Sequence, residues 1–403
     1  MNKKISLGLA IAVTLLVAAA AVIFTYNYAL VRFNSMIASV SDKEENYTRI
    51  SELDTFVRAS YVGTLDEKLL LDSILSGYVA GIGDSNARYF TAEQTQSMEQ
   101  NDSGYRVGLG FSYEREDSGY ILVTEVSQGS DAETAGFRVG DVITAVNNTD
   151  ILHFSGGYDE AVALMSGEGT KVKFYVKRTA ADGIMEYFDA ELETRRFEIM
   201  TVNYTVYDTA GYIRIFGFND RTDEQIKNAI NSVIAEGAVS LIFDLRDNPG
   251  GTIASLGASL DVILSEGDIV TAYYRDSSTV VVKTTEADVI NMPMAVLVNE
   301  KTEATAELFA LALKDNAGAQ LVGTKTAGKG MLSETHRLGS GSSIRLSVAY
   351  LKTGSGLEFD KIGIKPDFEV KLQEGVTFAD ITYELRTTLD TQFIKALEVA
   401  GTF

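Results

Sequence analysis

Apolar residues change their spacing several times along the chain, and each change marks a different kind of structure. Residues 5–24 are apolar almost without interruption, and no charge follows Lys4 before Arg32. About 20 such residues suffice for a helix to span a bilayer. Lys3 and Lys4 predict that the N-terminus stays inside and that the bulk of the chain lies outside. Ala18 to Ala21 offer small residues for processing, so a cleaved signal peptide is the rival reading. Over residues 34–100, Leu53, Phe56 and Val57, then Leu69, Leu70, Ile74 and Val79, recur at helical intervals in a polar background.

From Tyr105 the pattern turns to short alternating strands: 107–111, 120–126, 140–147 and 171–177, with a short helix predicted over 159–165. Residues 179–196 read as a charged hairpin leading into the next domain. Beyond them, strands at 211–216 and 240–245 alternate with an amphipathic helix at 222–237, which predicts an α/β domain with right-handed crossovers. Residues 265–287 read as a hairpin, 343–351 as a strand and 377–397 as a closing helix. No internal repeat is visible.

Residues 293–334 hold the densest information: PMAVLVNEKTEATAELFALALKDNAGAQLVGTKTAGKGMLSE. Met294 to Val298 form a nearly continuous apolar run, the pattern of a strand buried on both faces. Thr302 is the predicted N-cap of the following helix, with Glu303 and Glu307 near its positive end. Leu308, Leu311 and Ala312 recur at helical spacing, and Gly318 closes the helix. A second buried strand, 319–322, runs into a glycine-bounded loop that presents Lys329.

VNEKTEATAEL followed by DNAGAQLVGTKTAGKG, with DLRDNPGG upstream and GIKPDFEV downstream, resembles the C-terminal processing peptidases, or tail-specific proteases. The resemblance implies a crotonase-like, ClpP-like α/β peptidase core over residues 181–403. It implies a β-rich α+β PDZ domain over 101–180, a helical segment over 34–100 that often helps to form a homodimer, and an anchor over 1–33. It also implies serine–lysine hydrolysis of peptide bonds near protein C-termini, with no cofactor. The general base falls on Lys329. The oxyanion amides fall on Gly250 or Gly251 and on Thr305, and the position of a lysine-orienting glutamine falls on Ser333. The nucleophile position, three residues before Glu307, is Ala304. A methyl group cannot attack a carbonyl. An engineered Ser→Ala change, a natural pseudoprotease and a displaced nucleophile at Thr302, Thr305 or Ser333 all fit that alanine.

GLGF, within Val107, Gly108, Leu109, Gly110 and Phe111, matches the carboxylate-binding loop of PDZ domains, and AGFRVGDVITAVN downstream strengthens the match. Glycines beside Leu109 let backbone N–H groups converge on a terminal carboxylate while an extended peptide adds to the sheet edge. The expected partners are C-terminal tails of extracytoplasmic polypeptides, with the membrane engaged through the N-terminal helix. A non-catalytic tail-binding scaffold is the alternative.

Composition narrows the field. A net charge of −21 and no basic stripe argue against nucleic acid. Without cysteine there is no thiol nucleophile or thiolate metal site, and two histidines, His153 and His336, make a multi-histidine site improbable. Asp244 and Asp247 read as a strand end and a turn rather than as a paired acid and base.

Overall fold

The computed structural model describes residues 47–127, 129–180, 183–285, 290–382 and 385–401. The apolar run predicted to anchor the chain lies outside them. Among the described residues, no helix is long and apolar enough to cross a membrane. The chain divides into two compact units, residues 1–73 and 74–403. In the first, residues 47–60 are helical. Arg58 reaches Asp54 at 2.8 Å and Glu67 at 2.5 Å, while Leu53 and Phe56 remain exposed.

The second unit contains two β-rich parts and an α/β part. After β1 (Tyr105–Gly108), an antiparallel sheet is built from β2 (Phe111–Arg115), β3 (Ile121–Val126), β4 (Val142–Val146), β5 (Lys171–Thr179) and β6 (Met185–Glu193) in that order. Helix α1 (Gly157–Ala163) packs on it through Ala161. Period-two burial places Val172, Phe174 and Val176 in one core with Phe111, Ile121 and Phe137. Phe111 stacks on Phe137 with ring centroids 5.1 Å apart.

The charged hairpin expected over 179–196 is part of this sheet instead of a lead into the next domain. β6 pairs with β5 along nine positions, so the sheet continues to Glu193, beyond residue 180. Asp189, Glu191 and Glu193 alternate with Phe188, Ala190 and Leu192, which face the core. The charges masked a half-buried strand. β7 (Arg195–Glu198) then pairs back on β1.

The α/β part is a six-stranded sheet of β8 (Val202–Tyr207), β9 (Ala210–Ile215), β10 (Ser240–Asp244), β13 (Met294–Val298), β14 (Gln320–Gly323) and β17 (Phe368–Glu369), in that spatial order. β8 is antiparallel to β9, and the remaining pairs are parallel. The intervening helices are α2 (Thr222–Ala235), α3 (Ile253–Asp261) and α4 (Thr305–Ala317). On α2, Ile226, Ala229, Ile230 and Val233 supply the buried stripe at the spacing that an amphipathic helix requires.

Both faces of the sheet are covered, and neighbouring residues on a strand serve opposite cores. Leu241 and Phe243 of β10, with Val296 and Val298 of β13, join the core beneath α2, α3 and α4. Ile242, Ala295 and Leu297 meet Phe393, Ala396 and Val399 of α5 (Thr391–Gly401) on the other side. Full burial of one such side chain contributes roughly 1.5–3 kcal/mol. A second, antiparallel sheet joins β12 (Thr279–Thr284) to β11 (Gly267–Tyr274) and then to β16 (Ser343–Thr353), which also pairs with β15 (Met331–Arg337).

The closing helix expected over 377–397 is broken. A 3₁₀ turn at Phe378–Asp380 and a single turn at Arg386–Leu389 precede α5. The break falls at Asp390, which has no exposed surface and accepts from Arg246 Nη1 at 2.9 Å and Nη2 at 2.8 Å. Its carboxylate also accepts the Phe393 N–H at 3.0 Å, capping α5. Arg246 binds Asp244 as well, Gln392 accepts from Nη1 at 3.0 Å, and the Tyr212 hydroxyl donates to Asp244 at 2.6 Å. Asp244 is thus structural, at the end of β10 as expected.

Burial alone would push the Asp244 carboxyl up, but the Arg246 guanidinium holds it below the usual carboxylate range. Arg246→Leu, which leaves two buried carboxylates without their cation, is expected to lower unfolding free energy by about 3–5 kcal/mol. Urea denaturation measures this, and a loss below about 1 kcal/mol would show that the network does not tie α5 to the sheet. Because the folded Asp244 is the stronger acid, its contribution is complete above the unfolded aspartate pKa of about 3.9 and is lost as pH falls through the lower folded value. The unaltered protein should therefore lose stability over that acid range more steeply than Asp244→Asn.

Candidate active site

The site forms where three loops leave the carboxyl ends of parallel strands β10, β13 and β14, the position that open α/β sheets use for ligands. After β13 the chain turns through residues 299–304 into α4. The turn ends on Ala304, whose φ of 51° and ψ of −115° are rare for a residue with a Cβ. Such a conformation costs about 1–3 kcal/mol and persists only when neighbours fix it. They do so here: the Glu303 N–H donates to Asn248 O at 2.9 Å, and the Ala304 carbonyl accepts from the Glu307 and Leu308 amides as α4 begins. A strand, a strained turn and a helix that lifts one side chain off the backbone make a nucleophile elbow.

Thr302 is not the helix cap. It is buried, donates to Leu245 O at 2.8 Å and accepts the Asn299 N–H at 3.0 Å, so it closes the turn before the elbow. Gly318 does end α4, in the left-handed conformation expected of it.

Glu307 is not helix-end decoration either. Its side chain is fully buried, and its two oxygens accept four hydrogen bonds. Oε1 receives the Thr326 hydroxyl at 2.5 Å and the Gly328 N–H at 2.8 Å; Oε2 receives the Lys329 N–H at 2.8 Å and the Ala304 N–H at 3.0 Å. Burial pushes this carboxyl up from its ordinary range, against the pull of those donors. One carboxylate therefore clamps the elbow to the lysine loop. On its far side that loop leans on residues 359–364: Lys361 N–H donates to Gly328 O at 2.7 Å, and Ile364 N–H to Thr326 Oγ1 at 2.7 Å. Gly328 has φ 79°, and a Cβ there would lie 2.6 Å from Gly363 N, so only glycine fits.

The Lys329 backbone is thus held beside the elbow, its N–H sharing Glu307 Oε2 with that of Ala304. A lysine that acts as a base near neutral pH calls for burial away from other cations, but the Lys329 side chain is 46% exposed, and its ammonium is paired with the Glu303 carboxylate. Ser333 lies half-buried at a bulge on β15, opposite Ser347, and among the described residues no hydrogen bond joins its hydroxyl to Lys329. Of the other hydroxyls considered, Thr305 is buried and points to Gly251 O at 3.4 Å.

The DNPGG turn packs directly against the elbow. A Cβ on Gly250 would meet Thr305 N at 3.1 Å, and one on Gly251 would meet Phe218 O at 1.9 Å. The Gly250 N–H is occupied by Asn248 Oδ1 at 2.8 Å, which corrects its candidacy as an oxyanion donor. The amides of Gly251 and Thr305 remain. Asp247 and Asn299 exchange two hydrogen bonds, at 3.0 and 2.9 Å, and lock this turn to the end of β13. These amide partners gave no signal in the sequence beyond being polar residues in turns.

Elsewhere in the same unit, Val107 and Gly108 lie in β1, paired with Arg196 and Arg195. Leu109 is buried, the Gly110 carbonyl accepts from Ser127 N–H at 2.9 Å, and Phe111 starts β2. β2 is an edge strand of its sheet, as a peptide-adding groove requires. His153 and His336 are both exposed and stand apart from the elbow in the chain.

A family model described as peptidase family S41 matches residues 209–370, and one described as a PDZ domain matches residues 122–178. The carboxy-terminal processing protease CtpA of Bacillus subtilis (strain 168) is 29% identical over 394 residues, covering 95% of this chain and 82% of the relative. A probable CtpA-like serine protease of Staphylococcus aureus (strain COL) is 28% identical over 89% of this chain and 71% of its own length. Among solved structures, a photosystem II D1 C-terminal processing protease covers 79% of this chain and 86% of its own, at 23% identity and a TM-score of 0.44. The elbow, the lysine loop and the DNPGG turn lie within the region that matches peptidase family S41, the PDZ match lies ahead of it, and over most of its length the chain is similar to carboxy-terminal processing proteases.

Proposed function

We propose that this protein captures C-terminal tails of extracytoplasmic polypeptides through its PDZ domain and that its serine–lysine chemistry is dormant. The observation that carries the reading is Ala304 at the apex of a strained elbow whose supports are all in place. A serine there would give its proton to Lys329 and attack the scissile carbonyl. The Gly251 and Thr305 amides would meet the resulting oxyanion, a role worth about 2.7–4 kcal/mol per donor in such chemistry. The methyl group of Ala304 stops the sequence at its first step. A permanently non-catalytic tail-binding scaffold is the second reading, favoured by the engagement of Lys329 with Glu303. The N-terminal apolar run anchors the chain, with residues beyond Arg32 outside.

Ala304→Ser should raise hydrolysis of an unstructured substrate with an apolar tail by about a thousandfold or more, and Lys329→Ala added to it should remove the gain. Steady-state cleavage decides the matter: a folded Ala304→Ser protein that binds tails yet cuts nothing leaves the scaffold. Loss of existing activity on Thr305→Val would point to a displaced nucleophile instead.

Tail capture predicts that a peptide with a free carboxylate binds the whole chain at least about tenfold more tightly than its amidated form, because a charge-assisted hydrogen bond contributes roughly 1.5–3 kcal/mol. Equal affinities by calorimetry would remove the assignment of the GLGF loop. For topology, protease added to intact cells should digest the PDZ domain; protection until lysis would place it inside.

A further inference from the structure

Two restraints fix where the Lys329 side chain begins and what it meets. Its backbone N–H ends on Glu307 Oε2, the oxygen that also receives the Ala304 N–H, so the lysine starts beside the elbow. The residue immediately before the elbow, Glu303, is itself held by its N–H to Asn248 O at 2.9 Å, and its carboxylate takes the Lys329 ammonium. Both ends of the ion pair are therefore anchored through their backbones, which reduces the entropy lost on pairing. The side chains are 46% and 26% exposed, so solvent screens the pair without dissolving its geometry.

We propose that Glu303 is a positioning residue that engages the Lys329 Nζ in an ion pair, an obstacle to its use as a base that is separate from the missing hydroxyl at residue 304. The inference rests on the serine–lysine reading of the site. A general base must offer a lone pair to the attacking hydroxyl, and an ammonium has three donors and no acceptor. Glu303 draws Nζ to itself, so the chain carries two independent obstacles to hydrolysis. Restoring the serine removes only one.

Amine reactivity tests this without relying on turnover. The whole folded chain is treated with limiting acetic anhydride, and acetylation of Lys329 is read by peptide mass against the exposed lysines of the same digest. Glu303→Gln, which keeps the shape and removes the charge, should raise Lys329 labelling about two- to fivefold, the range of a partly exposed ion pair. Glu303→Asp should stay near the unaltered rate. Equal labelling of the unaltered chain and Glu303→Gln would overturn the proposal.

In the Ala304→Ser background, Glu303→Gln should raise kcat by a similar factor with little change in KM, and Lys329→Ala should abolish the gain. A cutting Ala304→Ser protein whose kcat ignores Glu303→Gln would also overturn it. Labelling that responds in a chain that never cuts would keep the Glu303–Lys329 pair and reject the dormant-protease reading, so the two ideas fail separately.

Discussion

The carboxylate of Glu307 is the constraint on which the site depends. It lies at the first turn of α4 with no exposed surface, and all four of its contacts are donors from the elbow or the lysine loop. Without it, each of those buried or half-buried donors would lose its acceptor, at about 1–3 kcal/mol apiece. Desolvation opposes the charge and pushes the carboxyl up, yet four converging donors give the group no alternative position. The strained backbone at Ala304 and the backbone of Lys329 are therefore joined through one side chain. The elbow and the lysine loop are thus held together around a residue, Ala304, that carries only a methyl group.

That local clamp needs a rigid base, which the doubly covered sheet supplies. β10, β13 and β14 alternate their side chains between two cores, so the carboxyl ends of the strands cannot shift without disturbing both. On one side the covering layer is α2, α3 and α4. On the other it is α5, tied to β10 by Arg246 bridging Asp244 and Asp390. A buried pair of this kind is weak evidence for net stability, but breaking it leaves an uncompensated charge. Its effect is therefore to specify where the C-terminal helix docks.

The Glu303–Lys329 pair gives the same site an opposing character. The clamp presents a lysine to the elbow, and the residue before the elbow takes that lysine's charge. The backbone and the ammonium of that lysine are held by two glutamates four residues apart on opposite sides of Ala304. A partly exposed ion pair is a modest interaction, which suits a bias rather than a permanent seal.

The sequence alone determined the elements whose signals are local. Buried-strand runs such as Met294 to Val298, the amphipathic stripe of α2 and the left-handed cap at Gly318 all follow from residue type and spacing. The elbow, the lysine loop and the GLGF strand turn were legible because their motifs are contiguous. Only tertiary structure decided the rest, because it depends on partners far apart in the chain. Asp390 breaks a helical pattern because Arg246, 144 residues away, is waiting for its carboxylate. Charged β6 joins a sheet because β5 pairs with it. Read from spacing, Glu303 and Glu307 were two acids favoured by a helix dipole. Folding brings Thr326, Gly328 and Lys329 to the same point, so one acid becomes a buried clamp and the other an ion-pair partner. A pattern records which residues are polar; it does not record which donor will arrive to meet them.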